Sequence, residues 1–152
     1  MTGTSTGPRP PLLTRIDHVG IACQDLTRAV AFYESAFGLV VASRAVHADQ
    51  GVSEAMLRVA DAPAGASYIQ LLEPLGPQTP VGRFLARRGE GVHHIAYGVT
   101  DISAALASIG ATGVRLIDAV PRHGSMGTSI AFLHPADVGG VLTELVQSAG
   151  SA

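Results

Sequence analysis

Apolar side chains alternate with small or polar ones over 16–23, recur at helical spacing over 26–37, and alternate again over 39–46. A period of two predicts strands and a period near 3.6 predicts an amphipathic helix, which Gly38 stops. Strands over 53–59 and 67–72 follow, separated by the turn-forming Asp61-Ala62-Pro63-Ala64-Gly65, and a connecting helix over 81–88 is ended by Gly89. The plan then recurs in shorter form. A strand over 92–99 leads to a helix over 101–109 with Asp101 as N-cap, and strands follow over 114–117, 128–133 and 140–146, with a Gly124-Ser125-Met126-Gly127 turn between two of them. Each half reads as a βαβββ unit too small to close its own core. Pairing them predicts an α+β fold, one curved, barrel-like mixed sheet with helices outside. The expected domain covers 13–148, with modules of about 13–78 and 90–148.

The duplication repeats chemistry as well as pattern. His18 sits in Ile16-Asp17-His18-Val19-Gly20-Ile21-Ala22 and His94 in Val92-His93-His94-Ile95-Ala96-Tyr97-Gly98-Val99, 76 positions apart. The same offset carries Asp25-Leu26-Thr27 onto Asp101-Ile102-Ser103. Near the end of each half a strand run holds one amide or carboxylate: Gln70 in the first and Glu144, 74 positions on, in the second. Successive strand side chains point to opposite faces. His18 therefore shares a face with Gly20 and Ala22, and His94 with Ala96 and Gly98, while Val19, Ile21, Ile95, Tyr97 and Val99 oppose them. Such small residues either leave room on a concave sheet for something other than protein or let two sheets pack closely around hydrogen-bonded core histidines. Four polar side chains on buried strands would each cost about 1–3 kcal/mol if unpaired. One divalent ion held by His18, Gln70, His94 and Glu144 satisfies all four.

Composition narrows the classes. The 152-residue chain is 47% hydrophobic and 14% charged, enough for a sizeable core within one domain. A net charge of −2 argues against a non-specific grip on nucleic acid, and no apolar run approaches the ~20 residues of a membrane-spanning helix. The single cysteine, Cys23, excludes an internal disulfide, suits a reducing compartment and, in its apolar run, reads as a small buried hydrophobe. The Thr-, Gly- and Pro-rich stretch 1–12 lacks the apolar core of a secretion signal and reads as a disordered N-terminal extension. The expectation is a soluble cytoplasmic protein without nucleic-acid or membrane partners.

Imidazole nitrogens suit Co, Mn, Ni, Fe and Zn, and amide and carboxylate oxygens add harder character. Two nitrogens and two oxygens from four strands leave an octahedral ion two positions for substrate oxygens, where it polarises a carbonyl: the chemistry of enolates. With ligands on the first and last strand of each unit, the chain resembles the vicinal oxygen chelate superfamily and, within it, the methylmalonyl-CoA epimerases, over 13–146. Beside the two histidine strands, the matching runs include Gln50-Gly51-Val52-Ser53-Glu54, Gln70-Leu71-Leu72-Glu73-Pro74, Gly89-Glu90-Gly91-Val92-His93-His94, Pro121-Arg122-His123-Gly124-Ser125-Met126-Gly127 and Gly140-Val141-Leu142-Thr143-Glu144-Leu145. The resemblance implies a divalent ion, cobalt favoured, on His18, Gln70, His94 and Glu144, in a homodimer that takes an acyl-CoA substrate. It implies interconversion of (2R)- and (2S)-methylmalonyl-CoA through a metal-stabilised enolate. Glu54 is then one proton carrier and Glu144 the other, although a carboxylate on a metal is a weaker base than a free one. One methylene changes discrimination by only ~1–3 kcal/mol, which leaves ethylmalonyl-CoA open as a second substrate.

Other activities fit the same scaffold. An extradiol dioxygenase needs two histidines and one carboxylate around Fe(II). A glyoxalase-type isomerase carries a carboxylate where Gln70 stands, and a non-catalytic antibiotic-binding relative lacks the metal set. Several residues have plainer readings. Glu54, on the strand face of Met56 and Arg58, is by itself a solvated residue, and His93 has the opposite parity to His94 and faces away from the ion. His47, His123 and His134 lie near turns and need no function, and Glu73 marks a strand end. Arg83, Arg87 and Arg88 present a solvated helix face or a contact for CoA phosphates. The segment 47–49 has fewer acidic residues than the resemblance predicts.

Overall fold

The computed structural model describes residues 12–150, so the expected disordered extension falls outside them except for Leu12. The first unit comprises β1 (Arg15–Ala22), α1 (Leu26–Phe37), β2 (Leu39–His47), β3 (Val52–Val59) and β4 (Tyr68–Pro74). Helix α2 (Pro80–Arg88), with Thr79 as N-cap and a proline in its first turn, connects it to the second unit. There β5 (Gly91–Gly98), α3 (Ile102–Gly110), β6 (Arg122–His123), β7 (Ser129–Leu133) and β8 (Thr143–Gln147) follow. All eight strands form one mixed sheet in the order β2-β3-β4-β1-β5-β8-β7-β6. In each unit the first strand runs parallel to the last, β1 to β4 and β5 to β8, and the units meet where β1 pairs antiparallel with β5.

The repeat seen in the sequence is a repeat of packing. On the helix-covered side, Cys23, Leu26, Val30, Ala55, Leu57 and Leu71 form one core. Val99, Ile102, Leu106, Ala131, Leu133 and Leu145 form the other, each 74 or 76 positions on from its counterpart. Asp25 and Asp101 cap α1 and α3 with nearly identical backbones, φ −138° in both, each carboxylate accepting the N–H three residues on at 3.0 Å. Apolar bulk on one strand face holds the helices, and the other face is left to small and polar residues.

The second unit departs from expectation mainly at its edge, and its last strand starts at Thr143 rather than at 140 because Gly139 and Gly140 form a turn at positive φ. The strand predicted over 114–117 is a single bridge, Leu116 to Leu133, and the sheet ends instead in the two-residue β6. Asp118 explains the difference, because its carboxylate accepts the Phe132 N–H at 2.9 Å and so takes a donor that a longer edge strand would have used. Gly113, at φ 95°, turns the chain before this segment.

Candidate metal centre and cavity

Strand register brings the four proposed ligands together. Across the β1–β5 seam His18 stands opposite Ala96 and Gly20 opposite His94, and across the parallel pairs Gly20 stands beside Gln70 and Ala96 beside Glu144. His18 and Gln70 thus occupy places equivalent to those of His94 and Glu144, and all four are buried. Gly20 makes this possible, since a Cβ there would lie 2.2 Å from His94 Cε1.

His18 Nε2 lies 3.2 Å from His94 Nε2, Glu144 Oε2 lies 3.3 Å from His94 Nε2, and Glu144 Oε1 lies 3.7 Å from His18 Nε2. Two ligands bonded at right angles to one ion at ~2.1 Å stand about 3 Å apart, so these spacings suit a shared cation. Among the described residues, His18, His94 and Glu144 form a group of potential ligands within 4.8 Å of one another. Gln70 adds the most direct sign of fit. Its Nε2 donates to Glu54 Oε2 at 2.5 Å, while its Oε1 is buried with no hydrogen-bond partner, an orphan acceptor that an ion would satisfy.

The outer nitrogens are tied back. Asp17 Oδ1 lies 2.8 Å from His18 Nδ1, and its other oxygen accepts from Arg15 at 2.7 Å, which leaves Nε2 as the inward-facing nitrogen. His94 Nδ1 meets His93 Nδ1 at 2.9 Å, and the His93 ring packs edge-on against Phe84. Burial pulls on His18, but the Asp17 hydrogen bond and the Glu144 charge outweigh it and hold the imidazole above its ordinary value. Burial and the neighbouring histidines push His94 well below, and burial raises Glu144 to about 7. Without an ion, His18 and Glu144 each favour a proton; a cation would displace it.

A cavity of about 650 Å³ opens beside these groups, a size suited to a small-molecule site. Met56, Leu72, Ile130 and Phe132 give it apolar walls; Gln70, Ser125, His94 and Glu144 supply polar atoms. Glu54 stands directly behind Gln70 and Ser125. It is 2% exposed, which overturns the reading of a solvated strand residue. Its Oε1 accepts from the Ser125 hydroxyl and lies 2.8 Å from His47 Nε2.

Sequence reasoning passed over three of these groups. Asp17 was detectable as a carboxylate beside a ligand. Ser125 is carried to Glu54 by the β6–β7 turn, in which Met126 takes the left-handed φ of 58°. His47, given no function, is in contact with Glu54. His93, expected to face away, lines the cavity and meets His94 Nδ1, whereas further plain readings agree with the structure. Cys23 is buried, its thiol pushed up to about 11 by burial, Glu73 accepts the Leu26 N–H at the start of α1, and His134 caps a short 3-10 turn. Arg83, Arg87 and Arg88 do not line the cavity; Arg15 and Arg122 do.

Comparison with known proteins places these features in context. Residues 17–132 match the family described as the Glyoxalase/Bleomycin resistance protein/Dioxygenase superfamily. The chain is 36% identical over 137 residues to the mitochondrial methylmalonyl-CoA epimerase of Homo sapiens, covering 90% of this chain and 75% of that one. It is also 36% identical over 138 residues to the ethylmalonyl-CoA/methylmalonyl-CoA epimerase of Cereibacter sphaeroides, covering 90% and 99%. A solved structure of a methylmalonyl-CoA epimerase in complex with methylmalonyl-CoA and ammonium superposes with a TM-score of 0.87 at 54% identity, covering 91% of this chain and 97% of that one.

Proposed function

The chain belongs to the Glyoxalase/Bleomycin resistance protein/Dioxygenase superfamily, and from that premise we propose that it epimerises methylmalonyl-CoA at C2 with a divalent metal ion. The observation that carries the reading is one meeting point. His18 Nε2, His94 Nε2 and the Glu144 carboxylate meet within 4.8 Å, and Gln70, whose Oε1 has no hydrogen-bond partner, lines the same cavity as Ser125, with both side chains bonded to the buried Glu54. When bound by His18, Gln70, His94 and Glu144, the ion supplies Lewis-acid stabilisation of negative charge on the substrate's thioester and carboxylate oxygens. The resemblance favours cobalt as the ion, and two nitrogens and two oxygens accommodate it along with Mn, Ni, Fe or Zn.

This chain's own residues move the proton. Glu54 takes it from one face of C2, oriented by Gln70 on Oε2 and by Ser125 and His47 on Oε1. Ser125 Oγ, on the cavity wall, donates to Glu54 Oε1 and holds that oxygen on the cavity side. Glu144 serves the opposite face: burial raises its free carboxyl to about 7, and a bound ion would lower it. The apolar walls exclude water from the carbanion that develops. Residues 13–148 act as one catalytic unit built from modules of about 13–78 and 90–148.

The resemblance supports a cytoplasmic homodimer, and the name of the Cereibacter relative supports ethylmalonyl-CoA as a second substrate. Among the described residues no helix is long and apolar enough to cross a membrane. The test follows epimerisation of (2R)-methylmalonyl-CoA by circular dichroism. Glu54→Gln should slow it about 10²- to 10⁴-fold with bound metal unchanged; an undiminished rate would remove Glu54 from the mechanism.

A further inference from the structure

The duplication is broken at a buried position on the third strand of each unit. By strand register Glu54, opposite Leu72, corresponds to Ile130, opposite Val146, so the acid lies in one unit only. Three side chains hold it: Gln70, Ser125 and His47. Gln70 and Ser125 line the cavity; His47 does not. The His47 side chain keeps 19% of its surface in solvent, against 2% for Glu54. We propose that His47 is a positioning residue for Glu54 and carries protons between that carboxylate and bulk water, by a path that avoids the cavity. The proposal rests on the reading of Glu54 as the C2 proton carrier.

The geometry is set by pairing. Ala45 on β2 stands opposite Glu54 and His47 opposite Val52, so His47 is Glu54's diagonal neighbour on the same sheet face, within reach of a long side chain. The His47 carbonyl accepts the Gln50 N–H at 3.1 Å, which anchors its backbone at the start of the turn on the cavity rim.

An acid/base group that has taken a proton from one face must lose it before the next turnover in that direction. A carboxyl so deeply buried has little contact with water, and a bound substrate blocks the cavity. His47 gives another way out. The Glu54 O–H bond breaks as an N–H bond forms at His47 Nε2, and the cationic ring releases its Nδ1 proton to water, leaving carboxylate and neutral imidazole. In the opposite direction water protonates Nδ1 and Nε2 returns its proton to Glu54. The interior thus exchanges protons while substrate stays in place.

Metal-loaded His47→Ala and His47→Gln proteins test this through kcat and KM for epimerisation, bound metal, and rescue by free imidazole. Both variants should lose about 10- to 100-fold in kcat, with KM and metal content unchanged. Imidazole should restore His47→Ala, whose truncation leaves space, and not His47→Gln, which can donate a hydrogen bond but carries no proton. Wild-type kcat in His47→Gln would show that the hydrogen bond suffices and overturn the proton path. A slow His47→Ala enzyme that imidazole leaves unchanged would overturn it too. If His47→Ala does not fold, kcat and KM of His47→Gln decide alone. An inactive wild type refutes the functional reading and this inference with it, whereas an active wild type with insensitive variants refutes the role of His47 only.

Discussion

Gly20→Ala is the smallest change that should separate the fold from the metal centre. A Cβ at position 20 would stand 2.2 Å from His94 Cε1, 2.5 Å from Nδ1 and 2.7 Å from Nε2. Ordinary carbon contacts lie at about 3.5 Å or more, so the ring would have to move by more than about 1 Å. It has little freedom to do so, with Nδ1 at 2.9 Å from His93 and the ring in T-shaped contact with Phe132 and His18. Overpacking of this kind costs about 1–3 kcal/mol. At roughly 2–4 °C per kcal/mol for a chain of this size, Tm should fall by about 2–12 °C, leaving a folded protein at room temperature. Metal–nitrogen bonds tolerate only ~0.2 Å, so the same shift takes His94 out of the ligand set. Cobalt affinity, read by titration calorimetry on the folded variant, should drop by at least about 100-fold. Gly76→Ala is the control, because nothing lies within 4 Å of a Cβ there. A folded Gly20→Ala protein that binds cobalt as the wild type does would refute the placement of His94 among the ligands.

Asp17→Asn keeps the shape but removes the charge that holds His18 Nδ1, and should weaken cobalt binding about 10- to 100-fold in the same titration while far-UV circular dichroism stays unchanged. Binding should also depend on pH in a definite direction. Glu144 at about 7 and the raised His18 both hold a proton below neutrality, and that proton competes with the ion, so affinity should fall as pH drops through about 7. Proton release on cobalt binding, measured in buffers of different ionisation enthalpy, checks this; no release at pH 6 would contradict it.

The four candidate ligands were legible as a set because strand registry preserved the repeat. Offsets of 76 and 74 between His18 and His94, and between Gln70 and Glu144, reappear as equivalent pairings through Gly20 and Ala96. The two helix caps and the two cores were legible for the same reason, since an identical unit buries identical positions. What escaped lies where the units differ. Asp118 replaces part of an edge strand with a side-chain bond, which leaves no trace in hydrophobic alternation. Ser125 and His47 reach Glu54 from 71 positions downstream and 7 upstream, by a turn and by a diagonal across two strands. Neither contact has a period, so neither could be read before the sheet was folded.

The central claim is that one ion, gripped by both units, makes the C2 hydrogen of a malonyl thioester exchangeable. Incubating methylmalonyl-CoA with the cobalt-loaded protein in heavy water and following the C2 proton by NMR tests it directly. Deuterium should enter at an enzymatic rate, stop when a chelator strips the ion, and resume on adding cobalt back. Exchange at the same rate in the stripped protein, or none in the loaded one, would contradict the account.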